Sequence, residues 1–348
     1  MTKMTIAIRV VDLKRDGDEL TRFLFENLTS QSDASRFDWL YLQNPHGQAR
    51  AWMAVDTLGR TIGVASAFPR LLWVAGKPER AWVLGDFCFS REYRSLGPAL
   101  QLQRVSLASL TGDTSGICYD FPSQSMMAIY RRLRVPVLGT QVRYVKLLRV
   151  DEKVQHFIPQ NYFARGLTWV GNCALRYQHL PQSTPHDITF SQHEDAFGSE
   201  FNEINGHAAG VHTVQVLRTA DYLNWRYKRH PMKRYCAVVA RRQSEVLGYG
   251  IAEIDASHAI LADLCAKEEP EVVPGIVGHL ERVLREMKVC SISAPLLKDC
   301  HLIPYLRRFG FYPRETAPVV FYADSNGQTS PFIRDVKNWL LVHGDRES

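Results

Sequence analysis

The chain has 348 residues, 45% of them hydrophobic and 22% charged, with a formal net charge of +6. That length exceeds what one core usually holds, so two domains are expected, and the apolar content excludes a disordered chain. The charge is spread thinly with no dense Lys/Arg tract, which argues against a nucleic-acid partner and mildly favours anionic ligands.

In chain order, residues 4–11 alternate in the manner of a strand. Residues 16–28 read as an amphipathic helix with Leu20, Phe23, Leu24 and Leu28 on one face. An aromatic helical stretch over 37–42 stops at Asn44-Pro45, because a residue before proline resists the α region. Strands are predicted over 51–55 and 61–68 around the turn Thr57-Leu58-Gly59-Arg60, and Gly76-Lys77-Pro78 turns the chain into a strand over 81–90. A helix over 97–110 carries Pro98 in its first turn, where a missing N–H costs nothing. A short strand over 116–119, a helix over 123–133 and a closing strand over 142–150 complete the first half. The order β-α-α-β-β-β-α-β-α-β predicts an α/β (α+β) mixed sheet: a meander, then a strand–helix–strand crossover, with helices on its faces. Residues 151–186 lack strand alternation and read as a helical connector, ending at Ser183-Thr184-Pro185-His186 before a strand over 187–191.

Seven cysteines, Cys88, Cys118, Cys173, Cys236, Cys265, Cys290 and Cys300, show no CxxC spacing. Buried thiols in a reducing compartment are expected, with neither a disulfide framework nor a metal site. No apolar run approaches a membrane span and the first residues lack a signal-peptide pattern, so a cytoplasmic protein is expected.

The second half repeats the first. Trp39-x-Tyr41-x-x-x-Pro45 matches Trp225-x-Tyr227-x-x-x-Pro231; Ile62-Gly63-Val64 matches Leu247-Gly248-Tyr249; Gly85-Asp86-Phe87-Cys88 matches Ala262-Asp263-Leu264-Cys265; and Tyr130-Arg131-Arg132-Leu133 matches Tyr305-Leu306-Arg307-Arg308. The expected organisation is a first domain over 1–150, the connector over 151–186, a second, degenerate domain over 187–325 and a helical tail over 326–348. The copies differ after the Asp/Cys strand. The first continues Ser90-Arg91-Glu92-Tyr93-Arg94-Ser95-Leu96-Gly97-Pro98-Ala99; the second continues with the acidic Lys267-Glu268-Glu269-Pro270-Glu271, which would repel a phosphate.

Arg94-x-x-Gly97-x-Ala99 lies between a predicted strand and helix. A helix N-terminus presents unpaired N–H groups and partial positive charge, and Gly97 permits close approach of a pyrophosphate, with Arg91 and Arg94 beside it. Residues 84–99 resemble the acyl-CoA motif of the GNAT (GCN5-related N-acetyltransferase) superfamily, Q/R-x-x-G-x-G/A, often preceded by a tyrosine as Tyr93 is here. Tyr305-Leu306-Arg307-Arg308-Phe309-Gly310-Phe311 resembles that family's last helix and turn, whereas the first half has Arg132-Leu133-Arg134-Val135-Pro136-Val137 in place of the usual Gly-Phe pair.

The resemblance implies two tandem copies of the acyl-CoA N-acyltransferase fold, with acetyl-CoA or another acyl-CoA as co-substrate and no metal. It implies a cleft between splayed strands, where the backbone near Phe87, Cys88 and Phe89 meets the pantetheine arm. Ser95, Leu96, Gly97, Pro98 and Ala99 hold the pyrophosphate, and Ser123 and Gln124 stand near it. Tyr130 takes the position of the acid that protonates the departing thiolate; Asp86, on the strand beside the thioester site, is the candidate base for the amine, with a water chain as the alternative. Cys88 reads as packing because Cys265 recurs in its place. The expected acceptor is a primary amine of a small molecule, sugar or peptide, bound between the halves on a free cleft face of the second copy. An acyl carrier protein or aminoacyl-tRNA as donor, and a non-catalytic acyl-CoA-binding protein, are the alternatives.

Overall fold

A computed structural model of the chain describes residues 6–111, 116–151, 185–204, 214–323 and 331–347. The connector predicted over 151–186 lies almost wholly outside the described residues. The first copy consists of β1 (Ala7–Val10), α1 (Gly17–Asn27), α2 (Ala34–Phe37), β2 (Arg50–Val55), β3 (Thr61–Val74), β4 (Lys77–Phe89), α3 (Leu96–Thr111), β5 (Ile117–Asp120), α4 (Gln124–Leu133) and β6 (Val137–Leu147). The second consists of β7 (Ile188–Gln192), β8 (Val214–Val216), α5 (Ala220–Leu223), β9 (Arg234–Arg242), β10 (Glu245–Asp255), β11 (His258–Ala266), α6 (Glu269–Glu286), β12 (Ser291–Leu297), α7 (Ile303–Arg308) and β13 (Tyr312–Tyr322). The tail adds α8 (Pro331–Arg334) and β14 (Trp339–Leu340), so it carries a strand as well as helical turns.

Among the described residues both copies share one sheet of fourteen strands; twelve run in the order β1-β2-β3-β4-β5-β13-β6-β12-β11-β10-β9-β7, with β8 paired to β3 and β14 to β8 beside it, and this order reveals an exchange. The last strand of the second copy, β13, pairs with β5 of the first (Val320↔Asp120, Tyr322↔Cys118). The last strand of the first, β6, pairs with β12 of the second (Leu147↔Ser291, Gln141↔Leu297). Each copy thus completes the other's sheet. The exchange explains why β6 starts at Val137 and not near 142. Pro136 and Gly139 argue locally against a strand, but Val319 and Val320 of β13 supply the ladder there. The β3–β4 hairpin is also longer than predicted. It closes on Ala75 (φ 47°) and Gly76 (φ 88°), the two left-handed positions of a tight hairpin turn.

The W-x-Y repeat lies on the approximate two-fold axis. In each copy a short helix, α2 or α5, winds into a π-helical turn, Asp38–Leu42 or Asn224–Lys228, that carries the motif. Trp39 and Trp225 stack with centroids 4.7 Å apart and planes 15° off parallel. The Trp39 indole donates to the Trp225 carbonyl (2.8 Å), and the Trp225 indole donates to the Trp39 carbonyl (2.9 Å). Such reciprocity is what a self-complementary interface requires. Both indoles are almost wholly buried, and the bonds remove their polar cost.

Candidate active site

Strand β4 pairs in parallel with β5 at Ala81↔Ile117, Trp82↔Cys118 and Val83↔Tyr119 only. Beyond Val83, β4 runs on to Phe89 with β3 as its ladder partner, and a gap opens between β4 and β5. The departure coincides with a bulge. Val64 faces Cys88 and Ser66 faces Gly85, so Asp86 and Phe87 together oppose Ala65, and Asp86 adopts φ +44°. An extra residue bends a strand and increases its twist, which turns β4 away from β5.

Three groups hold the bulge through Asp86. Arg36 of α2 donates to both carboxylate oxygens (2.8 and 2.7 Å), and the Tyr41 hydroxyl donates to Oδ2 (2.7 Å) while lying 2.9 Å from Ser66 Oγ. Both oxygens of Asp86 are therefore engaged in a buried ion pair, which does not suit the base expected of it. Its geometry is that of a tie between bulge and helix. The tyrosine of W-x-Y does the same in the second copy, where Tyr227 donates to Asp263 (2.9 Å) and Arg218 pairs with that aspartate (2.8 Å). Cys88 is buried, and its thiol is pushed up to about 12 by that burial and by Asp86, so it stays protonated.

At the far end of β4, a 3-10 turn, Arg91–Tyr93, leads into α3. The Ser95 N–H is taken by the Tyr93 carbonyl and that of Ala99 by the Ser95 carbonyl; Pro98 has none. Among the described residues no acceptor takes the N–H of Leu96 or of Gly97. A Cβ added at Gly97 would meet nothing within 4 Å, so the space above this helix end is open. Gly97 has an ordinary helical φ; its smallness keeps that space clear. Arg91 and Arg94 are exposed here. Arg94 braces the turn, with Nε donating to the Phe89 carbonyl (3.0 Å) and Nη2 to that of Asn27 (3.2 Å). Phe87 is half-buried on the strand beside the gap, and its ring lies 5.8 Å from that of Phe89. Ser123 caps α4, its hydroxyl accepting from the Met126 N–H (3.2 Å).

Tyr130 lies inside α4 and is fully buried, with its hydroxyl donating to Asp120 Oδ2 at 2.6 Å. Burial and the adjacent carboxylate hold the phenol well above its ordinary pKa, so it is a weaker acid than the sequence suggests. Asp120 is a residue that sequence reasoning missed. It ends β5 where the gap opens, and its carboxyl is pushed up to about 7, first by burial and then by Glu347, against the hydrogen bond from Tyr130. A short strand ending in Asp was its only sequence signal.

Glu347 arrives from the tail. Its side chain covers the Cβ-less face of Gly85, one residue before the bulge. Arg346 anchors it: its carbonyl accepts from Arg70 (2.9 Å), its guanidinium donates to Gln141 (2.8 Å) and lies 4.6 Å from the Phe121 ring centroid.

The second copy has the corresponding gap, since β11 pairs with β12 only from His258↔Ser291 to Ile260↔Ser293. This gap is filled. A 3-10 turn, His343–Asp345, packs against β11 and β12. Asp345 binds Arg218 (3.0 Å), which also holds Asp263, and the Asp345 carbonyl accepts from Tyr119 (3.0 Å). A Cβ on Gly344 would collide with Tyr227 Oη and the Ala262 carbonyl, so glycine is required. The free cleft face expected of this copy is thus occupied by the chain's own tail.

Among the described residues no group of three His, Cys, Asp or Glu side chains could hold a metal ion, and no helix is long and apolar enough to cross a membrane. The six described cysteines are buried.

No family model matches the sequence, and neither does any curated protein. Solved structures do match in fold. A conserved protein of unknown function from Enterococcus faecalis, described as a probable N-acyltransferase, superposes over 92% of this chain and 72% of its own, with a TM-score of 0.66 and 14% identity. A GCN5-related N-acetyltransferase from Anabaena variabilis gives 92%, 73%, 0.63 and 11% by the same measures. A tandem GNAT protein from the clavulanic acid biosynthesis pathway covers 98% of its length and 92% of this chain, at a TM-score of 0.57 and 13% identity. The chain has the fold of the GCN5-related N-acetyltransferases, in two tandem copies sharing one sheet.

Proposed function

We propose that the chain is an N-acyltransferase that moves an acyl group, an acetyl group foremost, from acyl-coenzyme A to a primary amine in the gap of the first copy. The observation that carries this reading is the coincidence of three features at one place: β4 leaves β5 after Val83, the free Leu96 and Gly97 N–H groups end that path, and open space stands over Gly97. A pyrophosphate fits a helix N-terminus of this kind. The acyl-CoA supplies the thioester. The β4 edge around Phe87 and Cys88 aligns it, and Arg91 adds positive charge.

The amine nitrogen attacks the thioester carbonyl, the C–N bond forms and the C–S bond breaks. The amine proton passes to the Asp120 carboxylate, and the leaving thiolate takes a proton in turn. A carboxyl near neutrality is suited to both transfers. Tyr130 orients Asp120 through its 2.6 Å bond, and Asp86 keeps the bulge in shape.

Acetyl-CoA should raise the melting temperature, with a stabilisation of about 2.7 kcal/mol at a hundredfold excess over Kd. Gly97→Glu, which puts a carboxylate into the open space, should abolish that rise while leaving the apo protein's melting temperature nearly unchanged. If no acyl-CoA shifts the melting curve of the native chain at millimolar concentration, the donor assignment is wrong.

A further inference from the structure

Across the two-fold axis from the gap lies a charged cluster that the proposed chemistry does not use. Arg226, on the π-helical turn of the second copy, is 1% exposed. Its Nε donates to the Gly344 carbonyl (3.0 Å) and its guanidinium lies over the Trp39 ring (5.7 Å). Among the described residues its enclosed Nη1 has no partner and no carboxylate hydrogen-bonds to the side chain. The acid that acts on it, Glu253, is bonded elsewhere. Glu253 Oε2 is 3.2 Å from Lys233 Nζ, 3.3 Å from His343 Nε2 and 3.4 Å from the Tyr235 hydroxyl.

The fold does not demand this charge. With the tryptophans aligned at their spacing of 186 residues, Arg226 falls on Leu40, Lys233 on Gly47 and Tyr235 on Ala49 of the first copy. Glu253 acts on this guanidinium only without a direct bond; enclosing a guanidinium without a bonded counter-ion is costly, and an apolar residue serves at the matching position. Such a group is retained where a ligand completes it. The cluster reaches solvent at Lys233, whose side chain is a quarter exposed. It also neighbours the gap: Glu347, which covers Gly85, acts electrostatically on both Lys233 and Asp120.

We infer that Arg226 and Lys233 form an anion-recognition site for the acceptor, and that the acceptor is an amine bearing a carboxylate, as amino acids and short peptides do. The carboxylate accepts from Arg226 Nη1 and Lys233, and the amine end of the same molecule reaches toward Asp120. This rests on the acyl-transfer reading for the role of the ligand, but binding alone tests it.

Free amino acids and dipeptides, each paired with its carboxamide, are screened by melting temperature against the full chain and against Arg226→Leu, which installs the first copy's residue. The acids should stabilise the native chain and the carboxamides should not. Arg226→Leu should weaken acid binding about tenfold or more, as loss of a charge-assisted bond does. The acetyl-CoA shift should survive in the variant, so a failure of the donor reading is seen separately, as absence of that shift in the native chain. Lys233→Gln is read in the same way should Arg226→Leu not fold. An equal response to acid and carboxamide, an acid response retained in the variant, or no stabilisation by any acid would overturn the inference and leave Arg226 Nη1 as the seat of a bound water.

Discussion

The two gaps of this molecule are built alike and used differently. In each, two parallel strands pair over three residues and then part beside a buried aspartate held by an arginine and the tyrosine of W-x-Y. The β4/β5 gap leads to a helix end with free N–H groups; the β11/β12 gap receives the turn His343–Asp345 and is followed by the acidic Glu268 and Glu269. The fold provides an opening twice, and what enters it decides whether a ligand can. The Asp/Tyr/Arg arrangement, being common to both, belongs to the architecture. Asp120 and Gly97 belong to one copy; ten residues before Tyr305, where Asp120 stands before Tyr130, the second copy has Pro295.

The comparison can be broken most severely at the axis. Trp39→Ala and Trp225→Ala should each cost about 3–5 kcal/mol in urea unfolding. The double variant should cost well under their sum, since each removes the same stack. Additive losses would mean that the pair is not one interface. Asp86→Ala should follow, at about 3–5 kcal/mol, because Arg36 is left buried without a counter-ion. Asp263→Ala should cost less, since Arg218 retains Asp345. A stable Asp86→Ala protein devoid of turnover would instead restore Asp86 as the base.

Asp120→Asn comes next, with a loss of about a hundredfold or more in kcat/KM. Its pH behaviour sharpens the assignment. A carboxyl raised to about 7 in the folded state, from an ordinary value near 4, binds protons more tightly folded than unfolded. Stability should therefore fall as pH rises from about 4 through 7, while activity that needs the carboxylate rises over the upper part of that range. The asparagine variant should lose both dependences. Tyr130→Phe should have the smallest effect, moving the activity limb upward by about one pH unit or less, because its hydrogen bond favours the ionised form. An unmoved limb would detach Tyr130 from the proton path.

Much of this was legible in the residues. The W-x-Y repeat announced two copies, and the stretch from Arg94 to Ala99 marked the one proposed to hold an anion. Both are local patterns. What escaped is made of contacts between residues distant in the chain. The partner of Asp86 is Arg36, which lies on a different element, so a strand aspartate looked like a free base. Tyr130 looked like an acid because the carboxylate that holds its proton ends a strand of only four residues. Arg226 sat inside a motif read as packing, and the tail's place in the second gap depends on a pairing across most of the chain. The departure at Arg134 also has a backbone explanation: it leaves α4 at φ +57°, a position that glycine occupies at Gly310 (φ 80°) after α7.

The exchange of β6 and β13 bears on how the protein is made. As the ribosome releases the first copy, β5 has no neighbour on its far side, because that neighbour, Tyr312–Tyr322, follows much later in the chain. At ~5–20 residues per second, the wait for β13 is on the order of tens of seconds. During it, the edge of β5 and the apolar faces meant for the second copy stay unsatisfied, the state in which strands pair wrongly or with another chain. Yield in cells should therefore depend on translation speed and chaperone supply more than the stability of the finished molecule would suggest.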